Sequence, residues 1–391
     1  MEKVFITAAA RTPVGAFQGT LSQVPATKLG ATAIKSVMNQ SGLNPADINE
    51  VIMGQVLSAG AGQAPARQAA IYAGVAESAQ CLTINKVCGS GLKAVMLAAD
   101  AIQLGHAQVI IAGGQENMSQ APHLLENSRN GYRMGSAAIV DSMIKDGLWD
   151  PYNNFHMGTA AEMCAKKYNF TREQQDQFAI DSYTKAQKAQ ANNYFKNEIV
   201  AVEIQDRKGP ITVDKDEEPG AAKFDKIPGL KPAFDKEGTI TAANASKIND
   251  GAAALVLMSE TKMKEKNLKP LARVVAYASF AQDPKWFTTA PVGAMKATLN
   301  KANLKVADID LWEINEAFSN VTMAAQKELE IPSDRVNVHG GAVAIGHPLG
   351  ASGARILTTL VHALKTHNKR YGMASLCIGG GEGIAMIIER M

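Results

Sequence analysis

The sequence of 391 residues predicts an α/β fold built from two similar halves, with a further segment inserted between them. Two pairs of matching segments support this prediction. Residues 33–51 match 294–312, and SGLKAVMLAADAI matches SGARILTTLVHAL at nearly the same displacement along the chain. The latter two runs are each followed by a short apolar segment that ends in glycines, VIIAGG and MASLCIGGG. Helices that alternate with short apolar strands are typical of α/β sheets.

The elements of the two halves can be placed in chain order. The opening MEKVFITAAARTP predicts a strand that begins near residue 3. AIKSVMNQSGLNPADINEV predicts an amphipathic helix, a turn and a strand, and its match AMKATLNKANLKVADIDLW predicts the same elements in the second half. Gly91 and Gly353 then open equivalent helices. A repeat on this scale indicates two structurally related halves.

The repeat also predicts the domain organisation. We predict an N-terminal α/β half at 1–119, completed by about 247–270, and a C-terminal α/β half at 271–391. Residues 120–246 break the pattern, are more polar and contain DKDEEPGAAKFDKIPGLKP, which predicts an inserted domain of turns and helices. Excursions of this kind on a rigid scaffold often contact ligands.

Composition excludes several classes of protein. The 40 basic and 37 acidic residues give a net charge of +3 without a basic face, so we predict no nucleic-acid partner. No apolar stretch approaches the roughly 20 residues that span a bilayer, which predicts a soluble protein without a membrane partner. The 4 cysteines have no CxxC spacing, which argues against a disulfide framework or structural zinc and favours a reducing compartment.

Four short segments carry candidate reactive groups. In NKVCGSG, Cys88 precedes a predicted helix, whose N-terminus would favour a thiolate. Asn315 follows a predicted strand in WEINEAF, His347 lies in the glycine-rich HGGAVAIGHPLGASGAR, and Cys377 ends a predicted strand in LCIGGGEG. Each residue alone is also compatible with a structural role, as a cap or a core side chain. The repeat brings Cys88, His347 and Cys377 to one end of the two halves, where they could converge.

Such a cluster predicts acyl transfer combined with carbon–carbon bond chemistry. A thiolate activated by an imidazole attacks a carbonyl carbon and forms a thioester, and a second thiol can move a proton. Imidazole and backbone N–H groups can hold an oxyanion or enolate. A Cys/His metal site is disfavoured because the candidate ligands lie far apart in sequence. A dinucleotide fingerprint is disfavoured because GGGEG lies too near the C-terminus for the rest of that motif to follow.

The chain resembles the thiolase family over essentially its whole length, most closely its acetoacetyl-CoA type. The resemblance rests on NKVCGSG, HMG, NASKINDGAA, NEAF, GGAVAIGHPLGASGAR and CIGGGEG, which occur in the family's order. It implies a five-layer α-β-α-β-α fold with an inserted CoA-binding loop domain. It also implies a reversible ping-pong reaction in which two acetyl-CoA molecules give acetoacetyl-CoA and CoA. Coenzyme A is then a substrate and product, and no redox cofactor is required.

The resemblance implies specific roles for the reactive residues. Cys88 corresponds to the acetylated nucleophile, His347 to its activating partner and Cys377 to the acid and base of the second step. Asn315, acting through a water molecule, and His347 correspond to one oxyanion hole. The backbone N–H groups of Cys88 and Gly379 correspond to the other.

The resemblance also implies contacts to the substrate and to an ion. The residues that correspond to contacts with CoA or the substrate are Leu148, His156, Met157, Tyr183, Lys226, Phe234, Ser246, Phe287 and Phe318. The run TAANAS resembles the mitochondrial, potassium-binding type. The residues that would surround a potassium ion are Tyr183, Ala242, Ala243, Ala245 and Val343. Carbonyl oxygens suit a hard cation of this kind.

Further expectations concern substrate, assembly and location. The mitochondrial type also cleaves 2-methylacetoacetyl-CoA in isoleucine breakdown, and it implies a homotetramer, a dimer of dimers, in the mitochondrial matrix; a cytoplasmic location is the alternative. The opening residues contain no Arg-rich leader, which is compatible with either location. Alternative functions are a thiolase for longer 3-ketoacyl-CoA substrates and a catalytically silent acyl- or lipid-binding protein. A decarboxylating ketoacyl synthase is disfavoured by Cys377.

Overall fold

A computed structural model describes residues 2–206 and 209–391, and it shows a mixed α/β architecture. The strands are β1 (Val4–Arg11), β2 (Gly15–Ala16), β3 (Glu50–Gly54), β4 (Gln80–Ile84), β5 (Val109–Asn117), β6 (His123–Leu124), β7 (Val140–Asp141), β8 (Trp149–Asp150), β9 (Phe155–His156), β10 (Val202–Asp206), β11 (Gly209–Val213), β12 (Asn249–Ser259), β13 (Ala272–Ala281), β14 (Leu311–Ile314), β15 (Tyr371–Ile378) and β16 (Glu382–Arg390). The α-helices are α1 (Ala26–Ser41), α2 (Pro65–Ala73), α3 (Ser90–Gln103), α4 (Met157–Tyr168), α5 (Arg172–Ala191), α6 (Glu218–Ala221), α7 (Glu260–Glu265), α8 (Ala290–Ala302), α9 (Ser319–Leu329) and α10 (Leu349–Thr366). The shorter helical turns are Pro45–Asp47, Ser128–Asn130, Ile144–Leu148, Phe224–Gly229, Pro284–Thr289, Val306–Asp308 and Ser333–Arg335.

Strand order shows that the two halves share one topology. The N-terminal half runs β1-β12-β5-β3-β4 and the C-terminal half runs β13-β16-β15-β14. A single bridge between Trp312 and Val336 lies beyond β14, at the place that β4 occupies in the first half. The predicted repeat is therefore confirmed by the sheet order. The sequence did not predict that β1 and β13 also pair, at Phe5 with Arg273 and Ile6 with Ala272, which links the halves edge to edge.

Helices and sheets form the predicted five layers. One core cluster joins α1 and α2 to the first half's strands, and another joins α8 and α9 to the second half's strands. The central cluster holds α3 and α10 between both sets of strands. Residues 349–364 of α10 are all buried, as expected for a helix covered on every side. The buried faces of these layers supply the hydrophobic stabilisation of the fold.

Two glycines of the repeat are needed where the central helices cross. A Cβ on Gly353 would lie 2.3 Å from the backbone nitrogen of Leu92, and one on Gly91 would lie 2.7 Å from that of Ala354. A side chain at Gly91 of α3 or at Gly353 of α10 would therefore force the two helices apart. The close crossing brings the N-termini of α3 and α10 together, and both reactive loops lie at these ends.

The segment between β5 and β12 contains short two-stranded sheets and the helices α4, α5 and α6. Strand β12 then pairs with β1 and β5 in the N-terminal half. The limits proposed for the three domains stay a prediction. Among the residues that the structure describes, no helix is both long and apolar enough to cross a membrane.

Candidate active site

Cys88 lies in a tight turn immediately before α3. Val87 has a φ of +44°, a conformation that is unusual for a β-branched residue. The hydroxyl of Ser90 fixes this turn, since it accepts from the Lys86 N–H at 2.8 Å and donates to the Val87 carbonyl at 2.7 Å. The side chain of Cys88 packs against a buried cluster that includes Leu349. Leu148, a predicted contact to CoA or the substrate, packs against the same cluster.

Two effects act in opposite directions on the half-buried thiol of Cys88. Burial raises its pKa to about 11, and the nearby N–H groups of Gly379 and of Cys88 itself lower it. The expected preference for a thiolate at the helix N-terminus stays a prediction, because the loss of hydration opposes the helix-end effect. The nucleophile consequently needs a base as it reacts.

His347 is held in the tautomer that can act as this base. Its backbone N–H donates to Asn249 Oδ1 at 2.9 Å, and its Nδ1 lies 2.6 Å from Ser352 Oγ. The Ser352 hydroxyl donates to the Pro348 carbonyl at 2.8 Å, so it accepts from Nδ1–H. Burial, with a smaller contribution from Arg355, lowers the imidazole pKa to about 3, so that the ring is neutral. Its Nε2 then carries the lone pair that can take a proton.

Ser352 was not predicted as a site residue, although the repeat matches it to Ser90. We expect Ser352→Ala to lower kcat about tenfold, because loss of one hydrogen bond of about 1.4 kcal/mol releases the imidazole from this tautomer. Steady-state thiolysis kinetics would measure the change. Ser41→Ala is the matched control, since Ser41 is a buried helical serine that donates to the Val37 carbonyl at 2.8 Å. An unchanged kcat in Ser352→Ala would contradict this role.

Asn315 follows β14 and faces His347. Its Nδ2 donates to His347 Nε2 at 3.4 Å, a long hydrogen bond. Its buried Oδ1 has no partner among the residues that the structure describes. A buried acceptor of this kind normally binds a water molecule or a ligand. This geometry is compatible with the predicted water-mediated oxyanion hole, whose role stays a prediction.

Cys377 is the second thiol of the cluster, at the end of β15. It is fully buried, and burial together with the nearby Cys88 raises its pKa well above that of a free cysteine. Gly379, two residues later, lies close enough for its N–H to lower the pKa of Cys88. The structure therefore places Cys88, Cys377 and Gly379 near one another and Asn315 beside His347. That Cys88, His347 and Cys377 form one reactive site stays a prediction.

Aromatic and apolar side chains surround Cys377. Met157, Phe287 and Phe318 belong to the same buried cluster as Cys377, and Phe234 packs against it. The ring of His156 stacks on Phe234 at 4.8 Å. Ser246 adjoins this group, since its N–H donates to the Ala317 carbonyl at 3.0 Å. These six predicted contacts thus form a continuous lining beside one reactive thiol.

A separate cavity of about 390 Å³ contains the remaining predicted CoA contacts. Tyr183 and Lys226 line it together with Lys223 and Glu218. Lys247 lines it as well, and three lysines at one cavity can attract phosphate groups. The cavity also reaches Ala242 and Ala243, so it adjoins the predicted ion site.

The residues predicted around potassium meet, but an ammonium lies among them. Lys247 Nζ donates to the carbonyls of Ala242 at 2.6 Å and Ala245 at 3.2 Å, and the Val343 carbonyl lies at 3.5 Å. Burial lowers the pKa of Lys247 to about 8 while Glu218 raises it, so the amine keeps its proton at neutral pH. These carbonyls are therefore a poor fit for a metal ion. Within residues 2–206 and 209–391, no group of three or more His, Cys, Asp or Glu side chains could hold a metal either.

One buried carboxylate near the site escaped the sequence-based prediction. Glu116, at the end of β5, accepts from the N–H groups of Val56, Leu57 and Gly350 at 3.0, 3.1 and 2.8 Å. Burial raises its pKa to about 7. It fixes the first turn of α10, next to the His347 loop. The polar run QEN, which follows the apolar VIIAGG, was the sequence feature that could have indicated a buried carboxylate here.

Comparison with known proteins decides the family. Residues 4–261 match the family described as "Thiolase, N-terminal domain", and residues 268–390 match "Thiolase, C-terminal domain". The chain belongs to the thiolase family. The cluster of Cys88, His347 and Cys377 is thus found in a thiolase, and the five-layer architecture is the thiolase fold.

Full-length relatives support the same assignment. This thiolase is 55% identical over 392 residues to an acetyl-CoA acetyltransferase of Cupriavidus necator and 50% identical to one of Allochromatium vinosum, with 100% of each chain covered. The Acat5 thiolase of Ascaris suum, solved in complex with coenzyme A, is 46% identical with a TM-score of 0.95 and full coverage of both chains. The acetyl-CoA acetyltransferase of Bacillus anthracis is 43% identical with a TM-score of 0.98, covering 100% of this chain and 99% of the other. Because these relatives include bacterial proteins, they do not support the predicted mitochondrial location.

Proposed function

We propose that this thiolase is an acetyl-CoA C-acetyltransferase that converts two acetyl-CoA molecules into acetoacetyl-CoA and CoA, and catalyses the reverse thiolysis. The observation that carries the proposal is that the half-buried thiol of Cys88 lies near the buried thiol of Cys377 and packs against the cluster of Leu349, two residues after the neutral imidazole of His347. Full-length relatives named acetyl-CoA acetyltransferase support it. Coenzyme A binding is supported by the Ascaris suum neighbour.

The first half-reaction transfers the acetyl group to Cys88. As the sulfur attacks the thioester carbonyl, its proton passes to His347 Nε2, which carries the lone pair in this tautomer. The bond to the CoA sulfur breaks, and the departing CoA thiolate takes the proton of Cys377. The products are acetyl-Cys88, free CoA, a Cys377 thiolate and a protonated His347. Backbone N–H groups of Cys88 and Gly379 stabilise the acetyl oxygen.

The second half-reaction forms the carbon–carbon bond. The Cys377 thiolate takes a proton from the methyl group of a second acetyl-CoA, and the resulting enolate attacks the acetyl carbon on Cys88. The raised pKa of Cys377 suits this step, because a thiolate with a high pKa is a strong base. Asn315, through a water molecule, and His347 stabilise the enolate oxygen. Cys88 leaves as a thiolate and recovers its proton from His347, which closes the cycle.

The substrate range is a part of the proposal that rests on the resemblance. We expect acetoacetyl-CoA and 2-methylacetoacetyl-CoA to be cleaved. Phe287 is 3% exposed and packs in the cluster with Cys377, so its ring bounds the space beside the reacting carbon. Potassium is not part of the proposed function, because Lys247 already donates to the carbonyls that would bind it.

Thiolysis assays with the purified protein test the function. We expect turnover of acetoacetyl-CoA with free CoA, formation of acetoacetyl-CoA from acetyl-CoA alone, and cleavage of 2-methylacetoacetyl-CoA. Faster turnover of 3-ketoacyl-CoA with longer chains would indicate the longer-chain thiolase instead. Binding of acyl-CoA without turnover or acetylation of Cys88 would indicate a silent acyl-binding protein.

The proposed assembly is a homotetramer. Its support is the free edge of β4, where Leu82 is 42% exposed, and the group of exposed apolar side chains between residues 125 and 152. Apolar surface of this kind is often covered by a partner subunit. Light scattering coupled to size-exclusion chromatography should give four times the 41.5 kDa chain mass; a monomer mass would contradict the assembly.

A further inference from the structure

Lys247 is the residue with the least expected surroundings in this thiolase. It follows the run TAANAS and is half-buried. Its ammonium donates to Ala242 and Ala245 within one turn, lies 3.5 Å from the Val343 carbonyl in the loop that carries His347, and lies 5.6 Å from the centre of the Tyr183 ring. The single charge thus contacts three separate segments of the chain.

We propose that the ammonium of Lys247 is a built-in cation that holds the 242–246 turn against the His347 loop and takes the place of a monovalent metal ion. Lys247 is then a positioning residue for the proposed reaction. This inference rests on the proposed function only where activity is measured. The binding of cations can also be followed by thermal unfolding, which requires no turnover.

The chemistry of the surroundings fits an ammonium. An ammonium has three donors and no acceptor, and it faces three carbonyl oxygens and the face of an aromatic ring. Glu218 adds a carboxylate in the same cavity. A metal ion among the same oxygens would lie within a few ångströms of the ammonium, where like charges repel strongly in a poorly hydrated site. The lysine is covalently attached, so it also avoids the entropy cost that a free ion incurs on binding.

Contacts lead from this cation to the reacting groups. The N–H of Val343 donates to Glu316 Oε2 at 3.1 Å, and Glu316 also accepts from Ser182 and Asn337 at 2.7 Å each. Glu316 adjoins Asn315, which contacts His347. Loss of the cation should therefore disturb the pair of Asn315 and His347 and lower kcat.

On the opposite side of the cation, the 242–246 turn adjoins the substrate contacts. Ala242 and Ala243 line the cavity that contains Lys226. The N–H of Ser246 donates to the Ala317 carbonyl at 3.0 Å, beside Phe318. Loss of the cation should therefore also raise the KM for CoA. If Lys247 only stabilised the fold, its replacement would lower the amount of active enzyme. It would not raise the KM for CoA together with the fall in kcat, and the variant would not respond to potassium.

The test replaces the built-in cation and then supplies a free one. Thiolysis and thermal unfolding are measured at pH 7 and constant ionic strength with chloride salts of potassium, sodium or tetramethylammonium. For the native protein we expect kcat to agree within about twofold in all three salts. For Lys247→Ala in tetramethylammonium we expect a kcat at least tenfold lower and a higher KM for CoA. Potassium should restore the activity of this variant in a saturable manner, and sodium should restore it less. Potassium should also raise the unfolding temperature of this variant selectively.

Two further variants separate charge from packing. Lys247→Met keeps the aliphatic stem without the charge, and we expect low activity in every salt because the side chain still fills the space. Lys35→Ala removes an exposed lysine of α1 and should behave as the native protein. Lys247→Met also keeps the proposal testable if Lys247→Ala does not fold.

Specific results would overturn the proposal. One is potassium stimulation of the native protein at pH 7, which would show that the ion and not Lys247 occupies the carbonyls. Another is a native kcat in tetramethylammonium for Lys247→Ala or Lys247→Met. A third is a Lys247→Ala variant of low activity in which potassium changes neither the activity nor the unfolding temperature. If the native protein had no thiolase activity, the proposed function would fail, whereas the ion-specific thermal shift of Lys247→Ala would still test the role of Lys247.

Discussion

Replacement of Cys88 by alanine is expected to abolish thiolysis and condensation, with kcat lower by about 10⁴-fold or more. The reason is that every step passes through the thioester on this sulfur, and alanine offers no nucleophile. Mass spectrometry of the intact protein after incubation with acetyl-CoA should show the added acetyl group in the native protein and none in Cys88→Ala. Cys88→Ser should react far more slowly than the native protein, because a hydroxyl is the weaker nucleophile.

Cys81→Ala is the matched control for this experiment. Cys81 is a free, half-buried cysteine on the edge strand β4, where it contacts Arg67, away from the cluster of His347 and Cys377. The variant should acetylate and turn over as the native protein does. Acetylation of Cys88→Ala at the native rate would show that another residue is the nucleophile.

The architecture was predictable because it repeats. Once residues 33–51 and the run from Ser90 had matched their counterparts, the alternation of apolar strands and helices left few alternatives for either half. The same repeat indicated that the Cys88 turn and the His347 loop would meet, since the two helices that follow them are equivalent. The pairing of β1 with β13 was not predictable, because backbone pairing at a sheet edge leaves little signal in side-chain pattern.

The protonation of the site could not be read from the sequence. A helix N-terminus favours a thiolate, whereas burial raises the pKa of the Cys88 thiol, and burial is a property of the packed chain. The tautomer of His347 likewise depends on where the Ser352 hydroxyl donates its proton. Residue identity predicts which groups are candidates for the reaction, and the packing adds the burial and the hydrogen bonds that shift their pKa values.

Buried ionic contacts between distant segments were also missed. Arg11 at the end of β1 donates to Glu198 at 2.6 Å and to Asp216 at 2.6 and 2.9 Å, although the partners lie far along the chain. Lys247 is a similar case, because the resemblance indicated a cation site from the alanines of TAANAS while the lysine that follows was passed over. A family motif carries over a residue's position, but a neighbouring side chain can change what that position binds.

Replacement of Cys377 by alanine is expected to separate the two half-reactions. Acetylation of Cys88 should persist, because the CoA thiolate is a good enough leaving group to depart without a proton donor. Condensation should fall by about 10²–10⁴-fold, because the methyl group of acetyl-CoA is a much weaker acid and loses its base. Exchange of labelled CoA into acetyl-CoA measures the first half-reaction, and deuterium uptake into the acetyl-CoA methyl group measures the proton transfer of the second.

Cys164→Ala controls for the loss of a buried thiol in this variant. Cys164 is as buried as Cys377 but lies in a separate small cluster with Tyr168 and Ala324. Its replacement should lower the unfolding temperature comparably and leave both exchange reactions intact. Full condensation activity in Cys377→Ala would assign the base to another group. Loss of CoA exchange as well would show that Cys377 is required for acetylation, so the two thiols would act together from the first step rather than in sequence.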